Sequence, residues 1–201
     1  MPKLGALTLT KNTGAQHTAT VIFFHGSGAN APLQPYTPTG GLLSNVWFDR
    51  TDINQDAPEQ IDSIKKIELQ VKDLIKNEND AGIPSNRIIV GGFSMGGALS
   101  LYTGYIWDRN LAGVFAFSSF LNTKSMVYND LKSLGENKLP PLLQIHGDSD
   151  DLVDLSWGQK TFNELRTVGV TGSTLKRPLS DITNEPIHNP TLVEPSTSTA
   201  I

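Results

Sequence analysis

Gly92-Phe93-Ser94-Met95-Gly96 spells G-x-S-x-G just after the β-branched run Ile88-Ile89-Val90. A serine in this pattern sits on a tight turn from strand to helix, with its hydroxyl raised above the sheet as a nucleophile. Glycines flank it because side chains at those places clash in so sharp a turn. The apolar spacing of Ala98, Leu99, Leu101, Tyr102, Tyr105 and Ile106 predicts a helix starting near Met95. Its first N–H groups and positive dipole end would point at the reacting centre.

A serine hydroxyl needs a base at neutral pH, and an imidazole suits that task. A carboxylate then holds the imidazole in the right tautomer. With this motif the acid and then the histidine follow the serine in chain order. The acids after the predicted strand Pro141–His146 are Asp148, Asp150 and Asp151. Asp150 is taken as the catalytic acid, with Asp148 capping the turn and Asp151 a solvated charge. Of the four histidines, His17 lies in a polar turn, and His25 and His146 each precede a glycine at a strand end, where a packed or backbone-bonded ring is expected. His188 is the only histidine after the acid and is the candidate base. It sits among Pro186, Asn189 and Pro190, and holding such a segment in place costs about 1–2 kcal/mol per ordered residue. An oxyanion would be met by the N–H of Met95 and by that of Ser27 in His25-Gly26-Ser27-Gly28.

The elements that must position these groups alternate. Strands are predicted at Ala6–Thr10, Ala19–Phe24, Arg87–Val90, Gly113–Phe117, Pro141–His146 and, as a short last one, Thr174–Lys176. Residues 25–55 read as a long loop. A helix is predicted to start at an Asp56 cap, with Pro58 in its first turn, and to run to about Asn79 on an apolar face of Ile61, Ile64, Ile67, Val71, Leu74 and Ile75. Two more helices are expected near Lys124–Leu134 and Ser156–Val168. Such alternation predicts an α/β fold with a mostly parallel sheet covered by helices on both faces, and ligands at the C-terminal ends of its strands. Residues 1–176 form the expected domain. From Arg177, Pro178, Pro186, Pro190 and Pro195 stand among Asn, Ser and Thr without periodicity, which predicts a disordered tail over 177–201.

Composition limits the alternatives. The 201 residues carry a net charge of −4 and no basic stripe, which argues against nucleic acid as a partner. No run is long enough for a membrane span, and Met1–Leu7 does not read as a secretory signal. The absence of cysteine excludes disulfides and thiolate zinc sites and makes the cytoplasm the expected compartment.

Several stretches together resemble the acyl-protein thioesterase/lysophospholipase family of α/β-hydrolases. They are Val21–Gly28, Pro35–Pro38, Ser44–Asp49, Gly82–Ile83, Asn86–Gly97, Leu111–Asn122 and His146-Gly147 to Asp150 with Leu152-Val153. The resemblance covers roughly residues 18–172. It implies an α/β-hydrolase that cleaves small esters, or thioesters on S-acylated proteins, without a cofactor or metal. It maps Ser94 to the nucleophile, Asp150 to the acid, and Met95 and Ser27 to the oxyanion positions. It also implies a shallow apolar acyl site lined by Trp47, Phe48 and Phe120. The chain departs from the family pattern twice. The helix and parallel strand that the family inserts after its H-G-x-G loop are absent, since Asn30 runs straight into Ala31-Pro32. The family's terminal His-Glu pair and closing helix are also absent. One strand and the closing helix are therefore expected to be missing, and activity to be impaired. A second reading is a non-catalytic relative that binds acyl groups or a partner protein through the same pocket.

Overall fold

Five strands pair in parallel in the computed structural model, which describes residues 16–28, 30–134 and 138–177. They are β1 (Thr20–Phe24), β4 (Ile88–Phe93), β5 (Gly113–Phe117), β6 (Leu142–Gly147) and β7 (Gly172–Arg177), in the spatial order β1-β4-β5-β6-β7. Register aligns Ile22 with Val90, Val90 with Val114, and Val114 with Leu142. The predicted strand at Ala6–Thr10 and the tail after Arg177 lie outside the described residues. Among the described strands β1 is an edge.

The long loop predicted over residues 25–55 contains a hairpin. β2 (Leu33–Tyr36) pairs antiparallel with β3 (Leu42–Asn45) across Gly40 and Gly41, both at positive φ. Asn30 passes directly into Ala31, and Asn45 Nδ2 donates to Ala31 O at 2.7 Å, while Gly28 N donates to Asn45 O at 2.6 Å. The shortened connection is thus closed by hydrogen bonds to the hairpin.

Helix α1 spans Ile61–Asp80 and buries Ile64, Ile67, Val71 and Ile75, the stripe its spacing demands. Its start corrects the expected Asp56 cap. Asp56 instead accepts the Thr123 hydroxyl at 2.7 Å, and Glu59 forms a bridge with Arg50. The Glu59 carboxylate accepts from the Tyr102 phenol (2.6 Å) and from Met126 N–H (2.8 Å). These long-range bonds hold residues 56–59 extended, so helix geometry begins only after Gln60. Helices α2 (Met95–Tyr102), α3 (Met126–Ser133) and α4 (Leu155–Thr167) follow the predicted spans. Ser125 and Asp154 cap the last two through side-chain bonds to Val127 N and Ser156 N.

Buried residues of all four helices join one core with Ile22, Phe24, Ile88, Val90, Val114, Ala116 and Leu142 of the sheet. These sheet residues share one face by the alternation of strands. The opposite face carries Val21 (64% exposed), Phe23 (53% exposed), Ile89, Phe93 and Leu143, all solvent-accessible. Phe23 stacks on Phe115, and Phe115 packs on Phe117. Helices were expected on both faces. Among the described residues they cover one, and the second is apolar and exposed.

The turn from β4 to α2 is a very tight contact. A Cβ on Gly96 would lie 2.1 Å from Phe24 O and 2.4 Å from His25 O, and one on Gly92 would lie 2.3 Å from Phe24 O. These neighbours are backbone and cannot swing away. Two outcomes are expected. Gly96→Ala should lower stability by about 3 kcal/mol or more, read from urea unfolding, because overpacking here has no side-chain relief. Replacing both Phe23 and Phe93 by Thr should cut the binding of a hydrophobic dye such as ANS. Unchanged dye binding would mean that this face is covered in solution.

Candidate active site

Ser94 has φ 53° and ψ −120°, a conformation that residues with a side chain rarely adopt. Such strain of about 1–3 kcal/mol persists only where the surroundings impose it. Here they do. Ser94 N donates to Phe117 O at 2.8 Å, tying the turn to β5, and Ala98 N donates to Ser94 O at 3.2 Å, starting α2. The first N–H groups of a helix have no partner within it, so Met95 N–H, at the start of α2, is left to bond outside the helix. The Ser27 hydroxyl contacts Met95 Sδ at 3.8 Å, bringing the H-G-S-G loop against the start of α2.

Ser94, Met95, Ser27 and Phe120 line one cavity of about 50 Å³ with Tyr36, Arg50, Ile53, Ser118, Leu152 and Val153. Four residues singled out from the sequence are therefore brought together. Asp150 stands beside this cavity. Its Oδ1 accepts N–H bonds from Leu152 (3.1 Å) and Val153 (2.9 Å), the two residues that form the adjoining wall. Its Oδ2 lies 3.7 Å from His146 Nε2. That ring is fully buried, and its Nε2 donates to Val153 O at 2.7 Å, while Nδ1 faces Gly158 without a partner. His146 thus braces the loop that carries Asp150. His25 Nδ1 bonds its own loop at Gly26 O (2.6 Å). His188 lies outside the described residues.

Trp47 and Phe48, expected at the acyl site, are placed elsewhere. Trp47 is buried behind the His25–Gly28 loop, where Nε1 donates to His25 O at 2.7 Å and the ring packs on His25 and Phe24. Phe48 is buried edge-on against Tyr102. The two therefore fix the loops around the cavity rather than line it. The aromatic wall of the cavity includes Phe120, which also packs on Trp157.

Sequence reasoning missed Arg50, Tyr36, Ile53 and Ser118. Ser118 directly follows β5 and has φ 44°, so its place at a strand's C-terminal end was a usable signal. Arg50 comes from an irregular segment that only tertiary bonds define. Asn122 Nδ2 donates to Asn54 O (3.0 Å) and Ala57 O (2.8 Å), and Thr123 N donates to Gln55 O (2.8 Å), strapping residues 50–59 to the loop after β5. Asp49 reaches back to the hairpin, accepting from Thr37 N and Thr37 Oγ1. Tyr102, buried beside the carboxylate of Glu59, has its phenol pushed well above the usual range, first by burial and then by that charge, so it remains a donor.

Comparison with known proteins places this geometry. Residues 29–182 match the family described as Phospholipase/Carboxylesterase. Mouse lysophospholipase-like protein 1 is 40% identical over 183 aligned residues, covering 78% of this chain and 76% of that protein. Acyl-protein thioesterase 1 homolog 1 of Dictyostelium discoideum is 37% identical, covering 84% and 88%. The latter alignment runs over 207 positions while taking in 84% of these 201 residues, so it opens gaps in this chain. Among solved structures, Zea mays acyl-protein thioesterase 2 superposes with a TM-score of 0.70 at 24% identity, covering 83% of this chain and 88% of that one. Arabidopsis thaliana SOBER1 superposes with a TM-score of 0.70 at 22% identity, covering 81% and 89%. The structural likenesses speak for the α/β-hydrolase fold, and the family match and sequence relatives for descent. The chain belongs to the phospholipase/carboxylesterase family of hydrolases.

Proposed function

We propose that the chain is a serine esterase or thioesterase that works through an acyl-Ser94 intermediate. The observation that carries this reading is the strained Ser94 at the mouth of α2, sharing one cavity with Met95 and Ser27. In the first step His188 takes the Ser94 proton as Oγ bonds to the substrate carbonyl carbon. The carbonyl oxygen becomes an oxyanion that accepts N–H bonds from Met95 and Ser27. The C–O or C–S bond then breaks, and the leaving alcohol or thiol takes the proton from the imidazolium. Water repeats the sequence on the acyl-serine and releases the acid. Asp150 orients the imidazole through Oδ2, the oxygen not bonded to Leu152 and Val153. The names of the relatives favour esters and S-acylated proteins as substrates, and the small cavity favours a short acyl group within it. No helix among the described residues is long and apolar enough to cross a membrane, and the lack of cysteine favours a cytosolic setting.

A second reading is an acyl-binding protein without turnover. The observation that favours it is that His146 and His25, each next to a loop of the site, bond to Val153 O and Gly26 O. Initial rates on a short thioester and a short ester separate the two. The serine reading expects Ser94→Ala and His188→Ala each to lower kcat by roughly 10⁴- to 10⁶-fold where the wild type turns over. Asp150→Asn should lower it by about 10⁴-fold through the wrong imidazole tautomer. Equal rates for wild type and Ser94→Ala would remove Ser94 from the chemistry.

A further inference from the structure

Arg50 is 7% exposed, yet it lines the same cavity as the nucleophile. A guanidinium carries five N–H donors in a planar fork, and its burial is costly unless they are answered. Here they are poorly answered. Asn122 Oδ1 accepts from Nη1 at 3.5 Å, the limit of a hydrogen bond. Among the described residues no carboxylate lies within 4.0 Å of its side chain. Glu59, the acid paired with it through the backbone bridge, spends its oxygens on Tyr102 and Met126. What holds the charge in place is aromatic. Arg50 Cζ stands 5.1 Å from the Phe48 ring centroid and 4.6 Å from that of Phe120. Cation–π contacts restrain the plane of the guanidinium and leave its N–H edge unspent. Burial lowers the Arg50 pKa, but an arginine stays charged at neutral pH.

We propose that Arg50 selects substrates whose acyl group carries a carboxylate on a short arm, which the guanidinium edge receives while Ser94 attacks the ester or thioester carbonyl. Three points lead there. A planar fork matches a carboxylate in two parallel bonds. Ser94 and Arg50 line the same small cavity, so the arm between the carbonyl and the anion is short. The leaving group must depart to solvent after the first step, whereas the acyl group stays, so a buried wall residue meets the acyl side. A carboxylate entering this cavity meets Arg50, Tyr36 and the serines, with no acidic residue among the lining groups. The proposal rests on the serine-esterase reading for turnover but not for binding.

The test uses monoethyl succinate and its neutral isostere ethyl levulinate, followed by pH-stat titration on the full chain. The ratio of kcat/KM for the anionic over the neutral ester should exceed one in the wild type. It should fall by about 30-fold in Arg50→Met, the worth of a charge-assisted hydrogen bond, and by less in Arg50→Lys, which keeps the charge. A purely structural arginine would lower both rates together and leave the ratio unchanged, which would overturn the proposal. A wild-type ratio below one would overturn it too. Calorimetric titration of monoethyl succinate into Ser94→Ala, with and without Arg50→Met, reads binding without chemistry. Arg50-dependent binding with no turnover of either ester would uphold the anion site and sink the hydrolase reading. Absence of binding to Ser94→Ala would sink the anion site alone.

Discussion

Everything at this site follows from how closely α2 approaches the end of β1. Only hydrogen atoms fit where Gly92 and Gly96 face the backbone at Phe24 and His25. That contact compresses the turn between β4 and α2 and forces Ser94 to positive φ. The same contact draws the loop after β1 against the helix start, which is why Ser27 meets Met95. The Ser94 conformation and the approach of Ser27 to Met95 are thus two results of one steric fact. The bonds of Gly28 and Asn45 close the shortened connection at the hairpin, apart from the glycine contact.

A second layer of bonds sets the shape of the cavity. Apart from the Arg50–Glu59 bridge, residues 46–60 form no helix or paired strand, yet they contribute Arg50 and Ile53 to its wall. Their backbone bonds go to Asn122 and Thr123, and Glu59 anchors them on Tyr102. Charge-assisted bonds of this kind contribute about 1.5–3 kcal/mol each, more than a neutral pair. Leaving Tyr102 buried without Glu59 would cost a further desolvation penalty. Polar bonds therefore win over helix propensity at Asp56–Glu59, where a cap, a proline and an acid otherwise favour an earlier start to α1.

Much of this was legible in the chain. The G-x-S-x-G motif located the turn, and its glycines reported the steric contact. The parallel sheet was readable because strands such as Thr20–Phe24 and Gly113–Phe117 are nearly continuous apolar runs, and the helices because Ile64, Ile67, Val71 and Ile75 keep a helical period. What stayed hidden depends on partners distant in sequence. Leu33-Gln34-Pro35-Tyr36 contains a proline and gives no strand signal, and pairs only because Gly40 and Gly41 turn the chain back on it. Trp47 and Phe48 look like pocket residues by type, but their neighbours, His25 and Tyr102, come from other elements. Strand alternation in Val21 and Phe23 forecasts two apolar faces equally well, and cannot say that described helices cover only one.

The central claim is that the fold activates Ser94 in this chain. The most direct measurement is covalent labelling by a fluorophosphonate, read by intact mass, with Ser94→Ala as the control. The account expects rapid addition of one phosphonyl group to the wild type and none to the mutant. A cooperatively folded wild-type chain that stays unlabelled would contradict it.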